Sequence, residues 1–165
     1  MWLRRKDKPE PPFGMPLEPV VKPMGYSDIN ECWRLDQRCF SDGEAYDRET
    51  LRYLLSHNKS FCYKITSTSN EMLAFIIGMI EPDDTGHVVA LGVAPEHRRK
   101  GFAVLLMDAV ETSFLKSGIV TVRLEVRTSN EGAQRLYAKL GYGIIRRMPH
   151  YYTSGDDGYL MIKNL

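Results

Sequence analysis

The segment Val88-Val89-Ala90-Leu91-Gly92-Val93-Ala94-Pro95-Glu96-His97-Arg98-Arg99-Lys100-Gly101-Phe102-Ala103-Val104-Leu105-Leu106 concentrates the chemistry of this 165-residue chain. An apolar strand runs into a short basic turn closed by glycine, and an amphipathic helix follows. Such a turn aims backbone N–H groups, a helix N-terminus and the cations Arg98, Arg99 and Lys100 at one spot, where a phosphate-bearing ligand fits. Gly101 supplies tight backbone geometry and close main-chain approach. Ala103 keeps the first helical turn slim, and the partial positive charge of the helix end adds to the three cations. Neither Gly-x-x-x-x-Gly-Lys-Ser/Thr nor Gly-x-Gly-x-x-Gly occurs, which excludes the nucleoside-triphosphate loop and the dinucleotide fingerprint. Taken alone, Arg98-x-x-Gly101-x-Ala103 also describes an ordinary solvated basic turn.

Two further residues are placed to move protons. Val122, Leu124 and Val126 alternate with Thr121, Arg123, Glu125 and Arg127, so Glu125 stands on the polar face of a strand. There it is a carboxylate base, or an exposed glutamate paired with Arg123 or Arg127. Tyr137 lies one helical turn after Ala133 and two after Asn130, on the helix that follows that strand. Its phenol, of pKa near 10, is a proton donor toward a thiolate, or a packing group beside Leu136 and Leu140. Asn130 is a good N-cap. Tyr151 and Tyr152 are adjacent in a polar loop, so both cannot easily point inward; tyrosine offers a broad apolar wall with one polar tip.

The turn resembles the Gln/Arg-x-x-Gly-x-Gly/Ala signature of the GNAT superfamily of N-acetyltransferases, which cradles the pyrophosphate of acetyl-coenzyme A. The block from Gly86 to Leu106 resembles the branch that acetylates protein N-termini, the bacterial RimI type and the archaeal and eukaryotic Ard type. Leu124-Glu125-Val126-Arg127-x-Ser129-Asn130, then Ala133, Leu136-Tyr137 and Leu140-Gly141-Tyr142, is similar to the RimI-type second half. Pro149-His150-Tyr151-Tyr152-x-x-Gly155-Asp156-Asp157-Gly158-Tyr159-x-Met161 resembles the Ard-type C-terminal segment. The likeness covers roughly residues 20–165.

This resemblance implies a single α/β domain of the GNAT fold, a mixed central β-sheet flanked by helices. It implies acetyl-CoA as the acyl donor, held by Leu91, Gly92, Val93, Arg98, Arg99, Lys100, Gly101, Phe102, Ala103, Val104 and Asn130. Glu125 is then the general base and Tyr137 the general acid, while Glu44, Tyr46, Tyr151 and Tyr152 hold the acceptor. Ard-type proteins often draw their base from elsewhere, so Glu44 or His87 is an alternative partner in that task. By the same resemblance, a neighbouring strand splays away at Leu91-Gly92-Val93, freeing N–H groups for the thioester oxygen. Gly92 gives room for that approach or marks a bulge. An α-amine, with a pKa of about 7.7–8.0 against about 10.4 for lysine, is the easier amine to deprotonate near neutrality. The implied activity is acetyl transfer from acetyl-CoA to the α-amine of protein or peptide N-termini, on one ribosomal protein or on nascent chains. A lysine or small-amine acetyltransferase and a non-catalytic acyl-CoA sensor are the alternatives. A ribosome or an auxiliary subunit stays open as a further partner.

Composition bounds the rest. One domain with one sizeable core is expected at this length. The formal net charge is +1 and the basic run is local, so no nucleic-acid partner is expected. Cys32, Cys39 and Cys62 fit neither a disulfide framework nor a zinc site, and His57, His87, His97 and His150 are scattered singly; no metal is expected. No apolar run has membrane-spanning length, and Arg4, Arg5 and Lys6 are not followed by an apolar stretch. A cytoplasmic, reduced protein without a membrane partner is the expectation.

The elements that must position these residues are legible from punctuation. Residues 1–19, with Pro9, Pro11, Pro12, Pro16 and Pro19, form an extended arm before a domain at 20–165. Val20–Met24 starts the first strand, with Pro23 confining it to an edge or end. Ser27 or Asp28 caps a first helix and Asp47 a second. Strands are expected at 61–66, 72–81, 87–94, 119–127, 142–148 and 158–164, and helices at 101–117 and 131–140, stopped by Gly118 and Gly141. Strands interleaved with helices indicate an α/β domain around a mixed sheet.

Overall fold

A computed structural model of the chain describes residues 19–41 and 43–165. The expected proline-rich arm lies outside the described residues except for Pro19, which is exposed. The strands are β1 (Val21–Pro23), β2 (Ser60–Thr66), β3 (Met72–Ile80), β4 (Gly86–Val93), β5 (Thr121–Arg127), β6 (Gly143–Met148) and β7 (Gly158–Asn164). The helices are α1 (Ile29–Cys39), α2 (Arg48–Ser56), α3 (Phe102–Lys116) and α4 (Glu131–Lys139). Side-chain caps fix two of the starts: Asp47 accepts from the N–H of Thr50 at 2.7 Å, and Asn130 from that of Ala133 at 3.1 Å.

Asp28 behaves differently from the expected cap. It precedes α1 but makes no side-chain cap bond; Oδ2 accepts from the N–H of Gly25 and Oδ1 pairs with Lys64 at 2.6 Å. A charge-assisted bond to a half-buried ammonium outcompetes one more amide for the same carboxylate.

The seven strands form one sheet in the order β1-β2-β3-β4-β5-β7-β6, antiparallel except where β4 runs parallel to β5. Apolar residues fill both faces. Phe102, Leu106, Val110 and Phe114 of α3 pack on one face against Ile76, Val88 and Val122, and Cys32, Leu35, Leu51 and Leu54 of α1 and α2 pack on the other against Phe75 and Ile77. Accordingly β3, the middle of the two-sided core, is buried along nearly its whole length.

Two irregularities around β4 shape the functional end. Its parallel pairing with β5 consists of Gly86↔Val122 and His87↔Arg123, after which the strands diverge. On its other side the register with β3 shifts between Ile77↔Ala90 and Gly78↔Val88, leaving Val89 as a bulge. The bulge therefore stands at Val89, not at Gly92, which pairs regularly with Phe75.

Gly92 has its own reason. A Cβ there would lie 2.6 Å from the ring of Phe75 and 3.2 Å from Sγ of Cys39. Phe75 is fully buried, so the ring has nowhere to retreat. Gly92→Ala is expected to lower the unfolding free energy by about 1–3 kcal/mol through overpacking. Urea melts check this; an unchanged midpoint would mean that the Phe75 ring can turn aside.

Candidate active site

Where β4 and β5 part, a cavity of about 860 Å³ opens between them. One wall is the β4 edge Leu91–Val93, where the N–H groups of Leu91 and Val93 point to the side that β5 has left, while Gly92 stays paired with Phe75 of β3. Its end is the basic turn. After a single 3₁₀ turn at Pro95–His97, Arg99 has φ 61° and Gly101 φ 83°, both left-handed, before α3 begins. Alternating hand curls successive N–H groups toward one point, an anion nest at a helix N-terminus. Around the Cβ position of Gly101 nothing lies within 4 Å, so the turn faces open space. Arg98 is held by its Nε–H donating to the carbonyl of Val93 at 3.3 Å.

Leu91, Gly92, Val93, Arg98, Arg99, Gly101, Phe102, Ala103, Val104 and Asn130 all line this cavity. Lys100 does not; its Nζ turns back to Nδ1 of His97 at 3.0 Å. The left-handed residue just before it swings Lys100 away from the wall on which Arg98 and Arg99 sit.

Proton-handling groups gather midway along the cavity. Glu125 projects from β5 into it, with its side chain 16% exposed, and Tyr137 reaches it from α4. Glu125 pairs with neither Arg123 nor Arg127. Its Oε2 lies 2.7 Å from Nε2 of His87, and Nδ1 of His87 lies 2.8 Å from Oε1 of Glu81. Burial pushes the His87 pKa down, but the hydrogen bond and charge of Glu125, joined by Glu81, outweigh it and hold the imidazole above its ordinary value. Its contribution to stability is therefore complete below the ordinary histidine pKa of about 6.5 and is lost as pH rises through the raised one. Burial pushes the Tyr137 phenol up to about 12. Its hydroxyl makes no hydrogen bond among the described residues, which leaves it free for a ligand in the cavity.

Two loops close the other end. Glu44 and Tyr46, from the α1–α2 connection, and Tyr152, from the β6–β7 connection, line the cavity together. Arg127 ties the loops to each other: its guanidinium meets Glu44 at 3.0 Å and Asp156 at 2.5 Å, and lies 4.9 Å over the Tyr152 ring. Thr153 adds a hydroxyl donated to Glu44 at 3.2 Å. Tyr151 packs edge-on against Tyr152 but is 48% exposed and off the cavity wall, so the two tyrosines face different ways.

Tyr46 is fixed by Asp36, which sequence reasoning does not single out. Asp36 is fully buried and its Oδ2 accepts from the N–H of Tyr46 at 2.7 Å, while Oδ1 has no partner among the described residues. The Tyr46 hydroxyl reaches the carbonyl of the bulged Val89 at 3.5 Å. Burial raises the Asp36 pKa to about 6, against the opposing pull of the Tyr46 N–H. An acid with a raised folded pKa contributes stability below its unfolded pKa of about 3.9 and loses it as pH climbs through the folded value. Asp36→Asn keeps an acceptor oxygen and removes the buried charge. It is expected to raise stability by about 1–3 kcal/mol at pH 7.5, with the gain vanishing below pH 4 in a melting series.

Residues 26–142 match the Acetyltransferase (GNAT) family. The chain belongs to that family. This GNAT acetyltransferase is 40% identical over 126 residues to the catalytic subunit NAA20 of the N-terminal acetyltransferase B complex of Arabidopsis thaliana, covering 74% of this chain and 72% of the other. Among solved structures, Ard1 from Thermoplasma volcanium superposes with a TM-score of 0.79 at 26% identity, covering 89% of this chain and 97% of that one. The ribosomal-protein-S18-alanine N-acetyltransferase of Escherichia coli shares the fold with a TM-score of 0.79 at 23% identity, covering 88% and 93%. Among the described residues no helix of this GNAT enzyme is long and apolar enough to cross a membrane.

Proposed function

We propose that this enzyme transfers the acetyl group of acetyl-CoA to the α-amine of protein N-termini. The observation that carries the reading is the cavity with three chemically distinct parts in series: an anion nest, a Glu125–His87 pair beside Tyr137, and a tyrosine-walled mouth pinned by Arg127. Acetyl-CoA is a substrate that fits this series, its phosphates at the turn and its thioester beside the free β4 edge. Glu125 takes one proton from the ammonium, directly or through one water, and the free amine nitrogen bonds to the carbonyl carbon. The carbon–sulfur bond then breaks with Tyr137 hydrogen-bonding the leaving thiolate. The nitrogen gives its second proton to solvent, and the thiolate takes one from solvent or the protonated base. The N–H groups of Leu91 and Val93, on the edge that β5 leaves, are placed to stabilise the carbonyl oxygen as charge develops.

The pinned loops favour a slim chain terminus over a bulky internal lysine segment, because Glu44, Tyr46 and Tyr152 line the same cavity as Glu125 and Arg127 ties their loops together. We assign the acceptor contacts to Glu44, Tyr46 and Tyr152, with Tyr151 at the outer rim. A broad, Ard-like acceptor range in the cytoplasm is the finer reading; an auxiliary subunit belongs to the same reading, supported by the likeness to NAA20, the catalytic subunit of a complex.

The test is incubation with acetyl-CoA and peptides beginning Ser, Ala or Met-Leu, each carrying an internal lysine, with the label located by mass spectrometry. Label on the α-amine is expected. Label confined to lysine would overturn the N-terminal reading, and no transfer with retained coenzyme A binding would leave an acyl-CoA sensor.

A further inference from the structure

The Glu81–His87–Glu125 line contains a residue that no step above uses. We propose that Glu81 is a positioning residue for amine deprotonation: it fixes the His87 ring so that Nε2 meets Glu125, and its charge sets the basicity of that pair. The inference rests on the proposed reaction for its kinetic readout only.

Glu81 is unusually well held for a turn carboxylate. Its own N–H donates to the carbonyl of Thr85 at 2.9 Å and its carbonyl accepts from the N–H of Asp84 at 3.0 Å, closing the β3–β4 turn. Arg123 of β5 lies 3.6 Å from its Oε1 and 3.5 Å from Asp83, so the carboxylate is braced from the neighbouring strand as well. From this anchored position Oε1 reaches Nδ1 of His87 at 2.8 Å, and the ring edge opposite reaches Glu125 at 2.7 Å. An imidazole with one nitrogen fixed has its orientation and its proton assignment fixed together.

The charges explain why a second carboxylate is needed. An imidazolium alone beside Glu125 would stabilise the carboxylate and make it a poor proton acceptor. Glu81 offsets that charge, leaving the three groups with net negative charge and Glu125 able to accept a proton. The other charged group facing His87 is Arg123, which opposes its protonation; Asp83 acts through Arg123. On the cavity side Tyr46 and Tyr152 lie near Glu125 as phenols, Tyr151 stands outside the wall but within reach of its charge, and Glu44 is matched by Arg127. No cation other than Arg123 offsets Glu81 at the ring among these groups.

Glu81→Gln is nearly isosteric, keeps an acceptor for Nδ1–H and removes only the charge. In the full-length protein with labelled histidine, the His87 ring titration followed by NMR is expected to fall by about one pH unit, with His87→Asn used to assign the signal. The kcat for the best peptide is expected to fall about 10-fold at pH 7 with a lower plateau and an acid limb displaced to lower pH, while KM for acetyl-CoA and peptide holds. Glu81→Asp, which restores the charge, returns both the titration and the limb toward wild type. A His87 titration and pH profile unmoved by Glu81→Gln, even with a lowered melting temperature, would reduce Glu81 to a turn residue and overturn the proposal. If the wild-type enzyme acetylates lysine or nothing, the functional reading fails separately, and the NMR titration still decides the role of Glu81.

Discussion

Glu125→Gln is expected to lower kcat about 10²–10³-fold near pH 6 while leaving KM for acetyl-CoA unchanged. Gln keeps an oxygen to accept from His87 Nε2–H, so the 2.7 Å contact survives and the strand keeps its register. What is lost is the group that removes the amine proton. The variant can then use only acceptor that has already lost its proton in solution. An α-amine of pKa about 8 is about 1% free at pH 6 and mostly free at pH 9. Log kcat/KM of the variant should therefore climb with slope near one until about pH 8, and the deficit should shrink to about 10-fold at pH 9. A pH–rate series on wild type and variant with one peptide decides it. A deficit constant across that range would mean that Glu125 organises the site without accepting the proton, and would shift the base to His87.

The same residues show how far sequence carries this site. Alternation in Thr121–Arg127 places Glu125 on the polar face, and the alternating burial of β5 agrees with it. Asp47 and Asn130 announce helix starts because a cap needs only a side-chain oxygen and three residues of chain. The basic turn is equally local, since every N–H it gathers lies within a few residues. What local pattern cannot specify is pairing. His87 and Glu125 lie 38 residues apart and meet because a two-residue parallel ladder sets the two strands side by side and then releases them. Nothing in either strand's composition states where that ladder ends. Glu81 reads as the last residue of an expected strand, whereas β3 ends at Ile80, and only the hairpin register turns Glu81 toward His87. Asp36 is a different failure: a carboxylate on an amphipathic helix reads as solvated, yet the Tyr46 N–H draws it inward, leaving one oxygen unpartnered among the described residues. Lys100 and Tyr151 stand off the cavity wall for a third reason, because a single left-handed residue or a single edge-on ring turns a neighbour aside.

Tyr137→Phe is the second large effect, expected at about 10–10²-fold in kcat with stability nearly unchanged. The hydroxyl has no hydrogen-bond partner among the described residues, so its removal orphans nothing, and the ring keeps its edge-on contact with Tyr142. The size of the effect follows from the phenol's acidity. At about 12 it stays protonated across any working pH, whereas a thiol has a pKa near 8.5. A phenol is the weaker acid even at its ordinary pKa of about 10, and burial raises both groups, so complete transfer of the phenol proton to the thiolate is uphill. Tyr137 therefore acts by donating a strong hydrogen bond to sulfur as the carbon–sulfur bond breaks, and the thiolate collects its proton later from solvent or from the protonated base. Two consequences distinguish this from full general-acid catalysis. The wild-type kcat should show no basic limb attributable to Tyr137 up to pH 10. Thioesters with a more acidic leaving thiol, which need less help, should lose less on Tyr137→Phe than acetyl-CoA does. An equal loss for both donors would place the hydroxyl on the carbonyl oxygen instead of on sulfur.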